Sequence, residues 1–413
     1  MNTINDELRS ADISASINQD SEGILSFLAN LRFSHWMLLI YPIFLFAIQR
    51  KRDFDAVYEI DQSAYLQIGF AGAMGVYMMI RILKNSYILK QFLFRRPLIW
   101  LCLYFILAIF STAWADKPEY TLYRSFEALV FLLLIIDALA SLNFDHMLKF
   151  QALFGLDLVI TWQFTSLLYD LSFESLHNSL VPGSLIYFAF LGLLLPGKRW
   201  KVIYAIIIAS IILATSAASY LALLFGIGGV IIFSGGKKRF LGLILIIFTS
   251  LLIWTYGFDF IDIVFRVKSE SNIMTATGRV PVWQWVYDEY VVLKPYWGYG
   301  FGAGETLARL NNLTGLRMMH MHSVVMSALT NLGFVGLTLF FIFILDTAVL
   351  MIKEENLPYR ALFFGATFAL LFNALSIASL TAPVSFGFIG QTLFFVTTVC
   401  VLNDMNFNYE NIT

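Results

Sequence analysis

Residues able to do chemistry concentrate in one polar stretch of an otherwise apolar chain. His322 opens the run "HSVVMSALTNLGFVGLTLFF" (322–341). Histidine is the side chain best suited to act as a base near neutral pH. Gly333 and Gly336 follow eleven and fourteen residues later. At roughly 100° per residue, an unbroken helix carries both glycines within about 40° of the histidine's face. The spacing therefore predicts one stripe with an imidazole at its mouth and small residues deeper, where a neighbouring helix can close in. Snorkelling at a membrane boundary is the competing reading for any such histidine, and it suits His320, which points nearly opposite. A His-x-His metal pair needs a third ligand that is not plainly present, so no metal is expected.

The second concentration is "TGRVPVWQWVYDEYVVLKPYWGYGFGAGE" (277–305). Residues 278–293 predict a helix with Pro281 in its first turn. Val282, Trp285, Val286 and Tyr290 form an apolar stripe suited to a helix on the membrane surface or on the roof of a bundle. Pro295 and glycines 298, 300, 302 and 304 then break the helix. Glycines this dense let backbone N–H groups turn toward an anion or a ring. A flexible aromatic turn at the interface is the other reading.

What holds these stretches is a membrane protein. The 413 residues are 59% hydrophobic and 13% charged, about half the charge of a soluble globule. A net charge of −1 gives no basic field for nucleic acid. Cys102 and Cys400 both lie in apolar runs, so neither a disulfide framework nor a thiol metal cluster is indicated. Twelve apolar segments approach the ~20-residue length of a spanning helix. They fall near 33–49, 64–83, 98–115, 125–142, 148–169, 180–196, 200–217, 219–235, 239–257, 323–351, 360–380 and 384–402. Whether 200–235 is two spans or a reentrant pair stays open. Lys and Arg gather after spans 2, 6 and 8, which predicts cytoplasmic termini and an external loop at 258–322, between spans 9 and 10. Arg50, Lys51 and Arg52 are the exception. The expectation is all-α and polytopic: a tail at 1–32, one transmembrane domain at 33–402 and a tail at 403–413.

His322-Ser323, nine residues, Gly333, two residues and Gly336 resemble the His-[Asn/Ser/Gln]-x9-Gly-x-x-[Gly/Thr/Tyr] signature of the O-antigen ligase and polymerase superfamily. "TGR" (277–279), Trp283, Pro295 and Gly298-x-Gly300 are similar to that family's large periplasmic loop. "STAWADKPEYTLYRS" (111–125) is similar to the Ser–Trp–Asp-x-Pro…Arg segment before an early span. The resemblance implies a glycosyltransferase of the bacterial inner membrane with its active site facing the periplasm. It implies an undecaprenyl-diphosphate-linked glycan donor, a glycan acceptor, and no cofactor or required metal. For a polymerase it further implies a chain-length-regulating membrane protein as partner.

The roles follow from the chemistry. Arg279 matches the family's loop arginine and is the candidate for the leaving diphosphate, where charge develops and a bidentate cation is needed. His322 is the candidate base, or the residue orienting the acceptor. Arg124 is a second phosphate candidate at the outer end of span 4, with Arg309 and Arg317 weaker; headgroup contact is the alternative for each. Trp283, Trp285, Tyr296 and Trp297 can stack on sugar faces, while anchoring is the simpler role. The ligases' mid-chain arginine aligns here with Ala217, which resembles the polymerase branch more than the ligase branch. A transporter, the rival class, should show repeated halves, broken helices and midplane charges, of which Asp157 and Asp346 are the clearest.

Overall fold

The structure, a computed structural model, describes residues 24–49, 62–84, 95–164, 180–214, 217–234, 279–310, 323–354, 356–374 and 383–403, with isolated positions at 240, 243–244, 247–248 and 381. Among these residues every regular element is helical. The helices are α1 (Ile24–Ala29), α2 (Phe33–Gln49), α3 (Gln62–Lys84), α4 (Leu98–Phe110), α5 (Pro118–Ala140) and α6 (Phe144–Leu158). They continue as α7 (Leu180–Leu185), α8 (Phe188–Leu191), α9 (Lys198–Leu213), α10 (Ala217–Phe233) and α11 (Arg279–Val286). The last four are α12 (Ala303–Leu310), α13 (Val324–Ile352), α14 (Leu357–Ala374) and α15 (Phe386–Leu402).

Among the described residues, two helices are long and apolar enough to cross a bilayer, Ala64–Lys84 and Val324–Ile352. Shorter apolar helices at Phe33–Ala47, Leu98–Ala113, Ser219–Phe233, Tyr359–Ala374 and Gly387–Leu402 accompany them. Their outer faces carry exposed Leu66, Val76, Met79, Phe341, Leu345 and Val349, as an integral membrane protein requires. Of the twelve expected spans, segment 239–257 lies almost wholly outside the described residues. The expected span at 180–196 is interrupted, divided between α7, α8 and a 3₁₀ turn at Gly192–Leu194. The span expected at 125 begins seven residues earlier, because Pro118 supplies a preset φ at the first helical position.

Residues 198–233 form two helices. Of these, α10 lies against α14, with Phe225 and Phe372 stacked at 4.3 Å and Phe233 and Phe364 at 3.6 Å. A Cβ on Gly226 would fall 2.9 Å from the Gly365 carbonyl oxygen, so the two backbones touch where both side chains are missing.

The bundle has two unlike ends. One gathers the N-termini of α6 and α9 together with α1, whose buried Phe27 meets His146 at 5.3 Å and Trp200 at 5.4 Å. Of the expected tail at 1–32, the described residues from 24 onward pack on the bundle. Arg81, Lys84, Lys198, Arg199, Lys201 and Lys353 sit at this end by their positions in α3, α9 and α13. The other end gathers the C-terminus of α4 and the N-termini of α5, α13 and α15.

Candidate functional site

Ser323 caps α13, its hydroxyl accepting from the Met326 N–H. Ten residues further, about 15 Å at helical rise, the helix breaks: Gly333 has φ 64° and ψ −161°. In an unbroken helix the N–H groups of Phe334 and Val335 would donate to the carbonyls of Thr330 and Asn331. Here the glycine-rich loop takes both sides of that gap. Tyr299 N–H donates to Thr330 O and Gly300 N–H to Asn331 O, each at 2.9 Å. Phe334 N–H donates to Pro295 O at 2.8 Å and Val335 N–H to Tyr296 O at 3.2 Å. Two helical hydrogen bonds are exchanged for four to the loop. These four backbone groups are thus paired within the protein, which is what a lipid-facing bundle demands.

Glycine is required on both surfaces of this joint. A Cβ on Gly333 would fall on the Tyr296 carbonyl carbon, and one on Gly298, at φ 62°, would lie 2.6 Å from the Asn331 carbonyl carbon. The unbroken helical face expected to carry Gly333 and Gly336 therefore does not form, and His322 lies outside the described residues. That arithmetic assumed continuous helix, and the element admitted at Gly333 is a loop. Gly336 makes room for the Leu332 side chain of its own helix.

The anion-nest reading of the glycines is corrected as well. The N–H groups of Gly298, Tyr299, Gly300, Ala303 and Gly304 all donate to protein carbonyls. Phe301 N–H donates to Ser111 Oγ at 3.0 Å. The flexible-turn alternative also fails, because Phe301 is fully buried, 6.1 Å from Phe105 and 6.4 Å from Tyr104. Phe301→Ala should cost about 3–5 kcal/mol, as truncations of buried Phe do, and expose the loop to protease. Thermal unfolding in detergent with limited proteolysis reads both.

The loop also binds the Ser111–Lys117 connection between α4 and α5. Asp116 N–H donates to Tyr299 O at 3.3 Å, and Trp114 Nε1–H to Trp297 O at 3.0 Å. Burial, with Asp116 nearby, pushes the Tyr299 phenol up, so it stays a neutral donor to Tyr290 O at 3.3 Å. Lys294 pairs with Asp116 at 2.7 Å, both side chains well exposed. Lys294→Ala should change stability by under about 1 kcal/mol, a contrast to Phe301 in the same assay.

The stripe on residues 279–291 holds, though the helix widens into a π turn at Tyr287–Val291. Val282 and Val286, flanked by Trp285 and Tyr290, pack on Met326, and Val291 packs on Ala328, Leu329 and Leu337. The contacts thus step toward Ser323 as the chain is traced back toward Arg279.

Arg124 is the seventh residue of α5. It is largely buried, 13% exposed at the side chain, and turned inward beside the loop rather than to lipid headgroups. Its Nη1 donates to Glu127 at 2.9 Å, and its guanidinium lies 5.0 Å and 5.3 Å from the Tyr123 and Tyr120 rings. A Cβ on Gly302 would touch its Cβ and Cγ at 3.4 Å. Glu127 also accepts from the Tyr41 and Tyr123 hydroxyls, each at 3.3 Å. Sequence reasoning passed over Glu127, although an Arg-x-x-Glu pair inside an apolar helix was the available signal.

Of the other candidates, Trp283 is half-buried and Trp297 is 53% exposed, its ring edge 5.4 Å from Trp114. Arg279 begins α11 and Arg309 lies in α12, with their side chains outside the described residues. His322 and Arg317 lie outside them entirely. Asp157 accepts from Thr161 at 3.1 Å and Asp346 from Trp100 at 3.0 Å. No group of three or more His, Cys, Asp or Glu arranged for a metal occurs among the described residues.

No curated protein matches the chain. Residues 202–341, from α9 through the loop to the middle of α13, match the family model described as O-Antigen ligase. The apolar helices around that segment mark an integral membrane protein, and the segment that carries the loop and the broken helix is similar to the O-antigen ligase family.

Proposed function

We propose that this protein is a membrane glycosyltransferase that joins undecaprenyl-diphosphate-linked oligosaccharide repeat units at the periplasmic face. One observation carries the reading: the glycine-rich loop, spliced into α13 at Gly333, ties the helix of Arg279, the helix of Arg124 and the segment after His322 to one end of the bundle. That end is opposite the one where most lysines and arginines gather. Such a charge bias supports cytoplasmic termini and a periplasmic site.

The reaction is a single displacement. The acceptor hydroxyl attacks the anomeric carbon as the bond from that carbon to the diphosphate oxygen breaks. The hydroxyl proton passes to His322, and the charge gathering on the diphosphate is met by Arg279. Attack opposite the leaving group inverts the anomeric centre. The residues supply base and cation without a metal.

Polymerisation is favoured over ligation to a lipid A-core because Ala217, at the start of α10, stands where the ligases carry an arginine. A flippase reading loses support at Gly333. Transporters use the free ends of broken helices to hold ions, whereas both ends of this break are occupied by the loop. The test is purified protein in proteoliposomes given a lipid-linked repeat unit, with no nucleotide and no ion gradient. Longer glycan chains are expected. Movement of the unit across the bilayer with no new glycosidic bond would instead identify a flippase.

A further inference from the structure

We infer that Glu127 is a positioning residue that holds Arg124 with one guanidinium edge open for the diphosphate of the lipid-linked substrate. The inference rests on the diphosphate-donor reading of this end of the bundle. It begins with a division of donors. Glu127, 1% exposed, takes Arg124 Nη1, while Arg124 Nε is buried and has no hydrogen-bond partner among the described residues. Nε and Nη2 share the side edge of the guanidinium, the edge that meets two oxygens of one phosphate. A buried guanidinium N–H left unpaired is costly, so its persistence points to a ligand that completes it.

Its surroundings fix this edge in place. Tyr120 and Tyr123 rings flank the cation, and the Tyr41 and Tyr123 hydroxyls donate to the same carboxylate. Those donors spread the Glu127 charge, which would otherwise repel an incoming phosphate. A lone arginine at this depth would be free to swing to headgroups; one clamped by a carboxylate and two rings keeps a single orientation. The ion pair thus orients the arginine toward a ligand.

The test uses farnesyl diphosphate, a prenyl diphosphate without glycan, titrated into the detergent-purified protein. Donor KM and kcat are measured in parallel. Glu127→Gln should weaken farnesyl diphosphate binding and raise donor KM about tenfold, the loss of one charge-assisted hydrogen bond's worth, with kcat changed less. Arg124→Lys, which keeps an ion pair but has no side edge, should do the same, and the double variant should be no worse than either. Unchanged binding and KM in a folded Glu127→Gln protein would overturn the inference. If that variant does not fold, unchanged values for Arg124→Lys overturn it. Displacement of the probe by phosphatidylglycerol micelles would assign the edge to headgroups and overturn it too. Diphosphate binding that depends on both residues, in a protein that forms no glycosidic bond, would instead sink the proposed reaction and leave this inference standing.

Discussion

His322→Ala should insert into the membrane in normal amount and make no polymer, and Arg279→Ala should do likewise. Removing a general base costs roughly 10²–10⁴ in rate, and removing a cation from a developing oxyanion roughly 10²–10³. Either loss is enough to empty a polymer ladder on a gel, because chain growth repeats the step for every unit added. Membrane abundance, read by immunoblot of the same samples, separates lost chemistry from lost protein. Full-length glycan from either variant would remove that residue from the site.

The second large effect falls on a residue with no chemistry of its own. Gly333→Ala should abolish activity by unmaking the joint between loop and helix. At φ 64° and ψ −161° the backbone is in a region open almost only to glycine. Strain there costs on the order of 1–3 kcal/mol, before the new methyl meets the Tyr296 carbonyl. The clash is with backbone, which cannot rotate away. The expected outcome is that the four hydrogen bonds of the joint are lost and residues 295–300 become protease-sensitive. Circular dichroism should still report a helical protein, since the remaining helices do not depend on the joint. Wild-type activity with an intact loop would show that the break in α13 is dispensable.

Much of this architecture was legible in the sequence, and the failures share a cause. Apolar runs located α2, α3, α4, α9, α10, α13, α14 and α15 to within a few residues, because a bilayer sets both length and composition. The stripe of Val282, Val286 and Tyr290 was legible because amphipathic periodicity needs no knowledge of the partner. Gly333 was misread because a glycine in an apolar run looks the same whether it admits a helix or ends one. Without that break, the carbonyls of Thr330 and Asn331 appear spent inside α13, and the loop's N–H groups appear free for an anion. The direction of Arg124 was illegible for a related reason. Its direction is set by Glu127, Tyr41 and Tyr123, and Tyr41 belongs to a helix 83 residues away in sequence. Local pattern reports what a residue can do; long-range partners decide which way it faces.

The proposed reaction makes a glycosidic bond at the expense of a lipid diphosphate. The direct measurement is the yield of free prenyl diphosphate per new linkage, from purified protein, a lipid-linked repeat unit and a chelator. The prediction is one diphosphate released for each bond formed, with none from His322→Ala. New linkages without released diphosphate, or a reaction that stops when metal is removed, would contradict it.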